Sequence, residues 1–373
     1  MPFRRDGIDA HVNEHIDRQF RDPFALFNPL FYFLGLTRPD QMNRVRRPST
    51  AAVFGGNRMG TAEIKNKLGS TSHHFRYVKN EPNDGEAVEF GGETPVASGF
   101  AEDNFGTAET RWTHIMEPVR LRKHSLEFAN GEEAVGAIVD ESIAPVWERF
   151  VKRINQGWWT DTMSLADQNK TVWGKWQGLK HTLTNDNYYG IVNRAVETNL
   201  NGLEIDASTD FAETRVGLNM IRKINNGFQK FTSGDTVTGL AGRTQDGRGA
   251  YCWMTTPQLW QELADETDTR YYIIHDGIPD TGLAGFKRPI INYDGNYITW
   301  DPFCPDGEMY GLCMQEWCLE ISPQHNFTWS GLKDKSELEE GGDYYLWGHF
   351  DLLARLTCRA PWLQARVKNL TTS

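Results

Sequence analysis

Glu132–Trp159 reads EEAVGAIVDESIAPVWERFVKRINQGWW, and its periodicity decides the fold class. Val135, Ile138, Val139, Val146, Trp147, Phe150, Ile154 and Trp158 recur at three- and four-residue steps, which places them on one stripe of an α-helix. Glu132, Glu133, Asp140, Glu148, Lys152 and Arg153 fall mostly off that stripe. The spacing predicts a helix of about 25–28 residues, roughly 40 Å at 1.5 Å per residue. Pro145 lies inside the run. It lacks an N–H and its ring crowds the preceding turn, so the helix should kink or restart there.

Upstream, Val119–Phe128 (VRLRKHSLEF) starts with Val119 and Leu121 on one face and Arg120 and Arg122 on the other, as in a half-buried strand. Residues 69–118 read as a long β-hairpin. His73–Val78 (HHFRYV) and Glu86–Phe90 (EAVEF) alternate, Gly91, Gly92, Gly99 and Gly106 punctuate the tip, and Arg111–Met116 returns as a strand. A two-stranded hairpin of that length is marginal alone and needs another surface to lie on. Residues 1–67 are broken by Pro23, Pro29, Pro39 and Pro48, and read as an extended arm with short helical pieces and no sustained heptad.

Downstream, Asp161–Thr184 is polar, carries Trp173 and Trp176, and gives no assignment. Thr209–Asn226 reads as a second helix, with Asp210 as N-cap, Glu213 three residues on, Phe211, Leu218, Ile221 and Ile224 as its buried face, and Gly227 as its stop. Tyr251–Met254 is a short strand, and Thr256-Pro257 opens a helix with Leu259, Trp260 and Leu263 on its apolar face. Tyr271–His275 is a further strand. Phe286–Tyr293 (FKRPIINY) reads as a hairpin arm or edge strand, because Pro289 cannot donate to a ladder. Met309–Ile321 and Tyr344–Leu356 are strand-rich, and Ala360–Leu370 closes the chain. This order is α+β, without a repeated βαβ unit or internal repeat.

The 373 residues suffice for two or three domains and a sizeable core. The net charge is −11, unlike a stand-alone nucleic-acid binder, but residues 1–67 hold eleven Lys and Arg against seven Asp and Glu. Phe24–Leu36 (FALFNPLFYFLGL) is broken by Asn28 and Pro29 and is too short to span a bilayer. It reads as a buried anchor or as an arm packing on a neighbouring subunit. Thirteen Trp suit both cores and protein contacts. The five Cys (Cys252, Cys304, Cys313, Cys318 and Cys358) impose no disulfide framework, and a reducing cytoplasm is the default.

No compact catalytic motif stands out. Gly174-Lys175 is followed by Trp176, where a phosphate-binding P-loop needs Ser or Thr. Gly239–Gly249 (GLAGRTQDGRG) offers Arg243 and Arg248 to a phosphate, but its context fits a loop better than a dinucleotide turn. Cys304, Cys313, Cys318 and His325 lack the tight pairing of a structural zinc site and read as buried thiols. His73-His74 are strand neighbours that point to opposite faces. Asp276–Asp280 and Asp294–Asp306 do not follow the EF-hand ligand order and read as turns. There is no GxSxG elbow and no HExxH, although a triad dispersed in sequence is compatible with any order.

The order of these elements resembles the major capsid proteins of tailed bacteriophages, with the Hong Kong 97-like fold. Asn187–Arg194 (NYYGIVNR) is similar to that family's Y-G-G-I-x-R turn, through Tyr189-Gly190-Ile191 and Arg194. Asp210–Asn226 resembles the axial-domain helix, and Met254–Leu263 the strand and Trp-bearing helix that follow it. Gly285–Ile291 looks like the G-x-P-hydrophobic strand, with Asp294 after it, Asp306–Tyr310 like the D/P-G-x-x-Y strand opening, and Ala360-Pro361-Trp362 like the closing strand. The resemblance implies an arm at 1–68, an extended β-hairpin loop at 69–118, a peripheral domain with the long spine helix at 119–190 and 330–373, and an axial domain at 191–329. Residues 161–186 and 322–343 are longer than a minimal member's connections. The family's Lys–Asn cross-link has no supporting motif at Lys79 or Asn369, so it is not carried over.

The function so implied is a non-enzymatic shell subunit, without a cofactor, that assembles in the host cytoplasm and resides in the virion capsid. It would form icosahedral hexamers and pentamers around double-stranded DNA held by non-specific contacts. A separate scaffolding protein is expected, since no N-terminal coiled coil is present, together with a portal and possible decoration proteins. The candidate inter-subunit residues are Arg44, Arg46 and Arg47 in the arm and Phe75, Tyr77, Phe90, Phe100 and Phe105 in the loop. The three arginines read equally as a solvated charge run. The alternatives are an encapsulin-type compartment shell, a minor phage shell component, and a hydrolase with a dispersed site in 239–325.

Overall fold

The structure is a computed structural model. It describes residues 9–10, 12, 52–54, 57–59, 63–66, 72–78, 105–122, 137–159, 177–185, 188–189, 192–196, 200–210, 214–222, 224, 252–267, 273–274, 290–293, 296–313, 317–322, 324–334, 345–358 and 361–372. In chain order the strands are β1 (Ala52–Phe54), β2 (Asn57–Met59), β3 (Glu63–Asn66), β4 (Ser72–Val78), β5 (Phe105–Arg111), β6 (Thr113–Arg122), β7 (Tyr188–Tyr189), β8 (Val192–Asn193), β9 (Leu203–Asp206) and β10 (Cys252–Thr255). They continue with β11 (Ile273–Ile274), β12 (Ile290–Tyr293), β13 (Asn296–Trp300), β14 (Met309–Leu312), β15 (Trp317–Ile321), β16 (Thr328–Trp329), β17 (Lys333–Asp334), β18 (Tyr345–Cys358) and β19 (Ala365–Lys368). The α-helices are α1 (Ala144–Trp159), α2 (Leu179–Leu183), α3 (Ala207–Asp210) and α4 (Pro257–Thr267).

α1 is the C-terminal part of the predicted long helix, which is helical throughout its described residues, 137–159. A π-helical turn, Val139–Ile143, leads into 16 α-helical residues starting at Ala144. Pro145 thus lies where the π turn passes into α1. The wider π turn absorbs the ring that a continuous α-helix would reject. Residues 132–136 of the predicted helix lie outside the described residues. Trp147, Phe150, Ile154 and Trp158 are buried as expected, and Val151 and Trp159 join them.

α1 packs on a six-stranded sheet organised by β18. Along one edge β18 pairs with β6 over ten residues, from Tyr345 opposite Arg122 to Ala354 opposite Thr113. Its other edge pairs in turn with β17, β16 and β15, and β3 adds in parallel beyond β15. The predicted return strand and the strand expected from Val119 are therefore one strand, β6, running through Pro118. Proline is tolerated there because the pair His349–Pro118 is a non-hydrogen-bonded one. His349 donates its N–H to Ser330 Oγ at 2.9 Å and accepts from Ser330 N at 3.0 Å, both on the far side from β6. β6 alternates strictly: Thr113, Ile115, Glu117, Val119 and Leu121 are buried, and His114, Met116, Pro118, Arg120 and Arg122 are exposed. Trp147 and Phe150 meet Phe350 of β18 with ring centroids 5.1 and 6.0 Å apart. Full burial of an apolar side chain such as Phe150 or Ile154 contributes about 1.5–3 kcal/mol.

The second sheet has seven strands in the order β11-β12-β13-β10-β14-β19-β9, with β10–β13 and β19–β9 parallel. All four residues of β10 and all four of β14 are buried. Cys252, Met254, Tyr310 and Leu312 join the core beneath α1, whereas Trp253 and Met309 join a second core with Leu259 and Leu263 of α4. A strand covered on both faces reads as a continuous apolar run, as Tyr251–Met254 does. α4 begins as predicted. Thr256 Oγ1 accepts from Leu259 N at 3.5 Å, and Trp260 Nε1 donates to Ile298 O at 3.3 Å.

Two expectations are corrected. Thr209–Asn226 is not one helix: α3 ends at Asp210, residues 214–217 are non-helical with Arg215 bridging to Thr371, and helix resumes at Leu218. Asp210 also closes a turn behind it. Its Oδ2 accepts from the N–H of Asp206 at 2.8 Å, closing the turn that joins β9 to α3. The described part of Phe286–Tyr293 is not an edge strand either: Ile290–Tyr293 lies between β11 and β13, and residues 286–289 lie outside the described residues. A proline just ahead of a strand leaves the ladder intact.

Part of the N-terminal region is fixed to the first sheet. Asp9 Oδ1 accepts from Trp329 Nε1 at 2.6 Å and from Leu332 N at 3.3 Å, and Val12 is buried in the core. Among the described residues no helix is long and apolar enough to cross a membrane.

Candidate functional site

β4 and β5 form an antiparallel ribbon, with Phe75 opposite Ala108, Tyr77 opposite Gly106 and Val78 opposite Phe105. The partner of His73–Val78 is thus 105–110; the predicted strand Glu86–Phe90 lies outside the described residues. Because opposed residues share a face and alternate along the strand, the register puts Phe75 and Tyr77 on one face of the ribbon and Phe105 on the other. Phe90, Phe100, Arg44, Arg46 and Arg47 lie outside the described residues. So do the glycine-rich stretch Gly239–Gly249 and the acidic run Asp276–Asp280.

The ribbon continues through Trp112 into β6, whose outer face carries His114, Met116, Pro118, Arg120 and Arg122. Met116 is 49% exposed, and the Arg120 guanidinium lies 3.8 Å from the centre of the Trp347 ring. This outer face is basic and aromatic, a composition suited to protein contacts. The sequence placed Arg120 and Arg122 on it through simple alternation. Val196, 75% exposed, is a second large apolar side chain at the surface.

Beneath these surfaces lie ionic and polar clusters. Arg366 of β19 grips Glu308 with two bonds, Nε to Oε2 at 2.9 Å and NH2 to Oε1 at 2.8 Å. Its NH1 donates to Thr184 Oγ1 at 2.8 Å and to Glu204 Oε1 at 3.2 Å, while Lys180 and the Tyr310 hydroxyl also reach Glu308. Burial would raise the Glu308 carboxyl, but hydrogen bonds from Arg366, Lys180 and Tyr310 outweigh it and hold the carboxyl below its usual range. Burial likewise works against the Arg366 charge, and Glu308 more than offsets it. A second buried pair, Arg355 with Glu320, joins β18 to β15, and the Arg355 guanidinium lies 4.3 Å from the centre of the Trp112 ring.

The Tyr189–Arg194 turn acquires a physical role. The Tyr189 hydroxyl donates to Cys358 O at 2.9 Å and accepts from Cys358 N at 2.6 Å. Arg194 stands 4.9 Å from the centre of the Tyr189 ring and donates to Thr184 O at 2.8 Å. Burial pushes the Tyr189 hydroxyl well up and brings the Arg194 guanidinium down to about 10, so both keep their protons at neutral pH. These residues anchor a turn against the end of β18.

His325 does not join the cysteines. Cys252, Cys304, Cys318 and Cys358 are buried, Cys313 is half-buried, and burial pushes the Cys252 and Cys304 thiols well up. Instead the His325 Nδ1 and His114 Nε2 contact the two carboxylate oxygens of Asp351. No sequence signal marks this group, because 237 residues separate His114 from Asp351.

No family model and no curated protein matches the sequence. Solved structures do match in fold. The capsid asymmetric unit of cyanophage A-1(L) superposes with a TM-score of 0.55 at 13% identity, over 83% of this chain and 90% of that one. The capsid of an empty GTA particle gives a TM-score of 0.51 at 10% identity, over 87% of this chain and 98% of that one. At such identities the likeness is one of fold, and it spans most of both chains. The α+β fold of this chain is therefore that of phage-type capsid proteins.

Proposed function

We propose that this chain is the major capsid protein of a tailed bacteriophage, a shell subunit that assembles into hexamers and pentamers of an icosahedral shell around double-stranded DNA. The observation that carries this reading is the fold likeness to the cyanophage capsid subunit over 83% of the chain. The ribbon supports it. A two-stranded β-ribbon lacks the buried area for independent stability, and a neighbouring copy supplies the missing surface. Phe75, Tyr77 and Phe105 on the ribbon, with Phe90 and Phe100 beyond it, are the proposed contacts. Arg44, Arg46 and Arg47 are proposed to meet acidic neighbouring surface or DNA. A scaffolding protein directs assembly, and a portal and decoration proteins complete the particle. The arm, loop, peripheral and axial divisions at 1–68, 69–118, 119–190 with 330–373, and 191–329 belong to the same reading.

Electron microscopy of the chain expressed with its scaffolding protein tests it. Icosahedral shells are expected. A monodisperse monomer that forms no shells or capsomers, even with scaffold supplied, overturns it. Shells that enclose a protein cargo in place of nucleic acid would identify a compartment instead of a virion.

A further inference from the structure

We propose that His114, His325 and Asp351 form a binding site for a divalent transition-metal ion of the zinc class. One ligand atom from each lies within 4.8 Å of the other two. Three separate pieces of backbone bring them together. His114 stands on β6 opposite Leu353, and Asp351 stands on β18 between Met116 of β6 and Thr328 of β16. His325 sits in the turn between β15 and β16. That turn is fastened to β18: His325 O accepts from Leu353 N at 2.8 Å, Ser322 N donates to Leu353 O at 2.9 Å, and His325 N donates to Ser322 O at 3.1 Å. The two imidazole rings stand edge to face, 5.6 Å between centres, over the carboxylate.

The donor set selects the ion. Two imidazole nitrogens and one carboxylate oxygen suit zinc, cobalt, nickel or ferrous iron, whereas magnesium and calcium prefer oxygen alone. Zinc–nitrogen bonds of about 2.0–2.1 Å set tetrahedral ligand atoms roughly 3.3 Å apart, so to admit an ion the His–Asp contacts open and the wider separation, within 4.8 Å, closes by side-chain rotation. The Asp351 side chain is 8% exposed, and among the described residues no Lys or Arg pairs with it. A divalent cation held between the three ligands supplies positive charge directly to this buried carboxylate. The histidine side chains are 40% and 41% exposed, so an ion reaches the site from solvent and keeps one position for water. Bound there, it clamps β6, β18 and the 322–327 turn. The site does not depend on the shell reading, because a chain that formed no shells would still bind.

The test uses the full chain, stripped with chelator and titrated with Co2+ by visible absorption and with Zn2+ by calorimetry. One equivalent per chain is expected, with a rise in melting temperature that EDTA reverses. His114→Ala and His325→Gln should each weaken binding by at least roughly tenfold, the smaller cost of losing even an outer-sphere partner. Cys313→Ser should bind like the parent. Asp351→Asn is a further variant, and the two exposed histidines carry the test if it fails to fold. Absence of stoichiometric uptake by the folded parent overturns the proposal. So does unchanged affinity in folded His114→Ala and His325→Gln, or loss of binding in Cys313→Ser.

Discussion

Arg149 of α1 donates its Nε–H to Glu117 Oε1 of β6 at 2.7 Å, reaching the one carboxylate on the inward face of that strand. Arg153, one helical turn on, donates to the other oxygen at 3.2 Å. Both arginines are well exposed, so either alone is worth little, and each backs up the other. Arg149→Ala should cost about 0.5–1 kcal/mol. Arg149→Ala with Arg153→Ala should exceed the sum of the singles, because the pair of changes leaves a carboxylate facing the core without a donor. Urea unfolding of the three variants measures this, and strict additivity would refute the shared role.

The Glu308–Arg366 cluster predicts acid sensitivity. The folded-state Glu308 carboxyl is held below its usual value, so its contribution is present above that value and is lost as pH falls through the acid range. Glu308→Gln should flatten this part of the stability–pH curve. Arg366→Ala should destabilise by about 1.5–3 kcal/mol at neutral pH, since it removes the two-bond grip on a carboxylate that keeps only Lys180 and Tyr310 among the partners described. Denaturant midpoints between pH 3 and 7 (about the span over which a carboxylate titrates) check both.

Tyr189→Phe removes the hydroxyl that bonds both the N–H and the C=O of Cys358 while keeping the ring. Losing two such buried hydrogen bonds costs about 1–3 kcal/mol. Thermal unfolding should show the loss, and Tyr189→Phe should cost more than Tyr345→Phe on the half-exposed start of β18.

Gly311 of β14 admits no side chain. A Cβ there would lie within 2.9 Å of three ring carbons of Trp253, which is fully buried. Gly311→Ala should destabilise by about 1–3 kcal/mol through overpacking. Calorimetry in a Trp253→Phe background should recover part of that cost, and equal penalties in both backgrounds would contradict the steric origin.

Phe75→Ala with Tyr77→Ala should reduce shell yield beyond any change in the stability of the unassembled chain. Sedimentation of assembly reactions separates the two effects. Unimpaired assembly would remove these residues from the contact.

The sequence was legible where a single element explains itself. The three- and four-residue steps from Trp147 to Trp158 and the alternation around Val119 and Arg120 both stand in the structure. It misled where local and distant signals compete. Asp210 has the residues of a cap around it, but its carboxylate turns back to Asp206, and Arg215 is drawn to Thr371. Pro289 suggests an edge, yet β12 begins one residue later and gains two neighbours. The His114–His325–Asp351 group was invisible, because only the pairing of β6 with β18 and the fastening of the 322–327 turn bring it together. Tyr189 and Arg194 were visible as a pattern, while their contact with Cys358 is a property of the folded chain alone.

The end of β18 is also where the two sheets are joined along the chain. A pull along β18 shears ladder bonds on both edges at once, so this strand is the rigid axis of the first sheet. At Cys358 the axis ends, and the chain passes through the short helical turn Pro361–Leu363 into β19 of the other sheet. The Tyr189 hydroxyl, bonded to both the amide and the carbonyl of Cys358, acts as a hinge pin there. The passage between the two sheets is thus tied down by a side chain that belongs to neither of them.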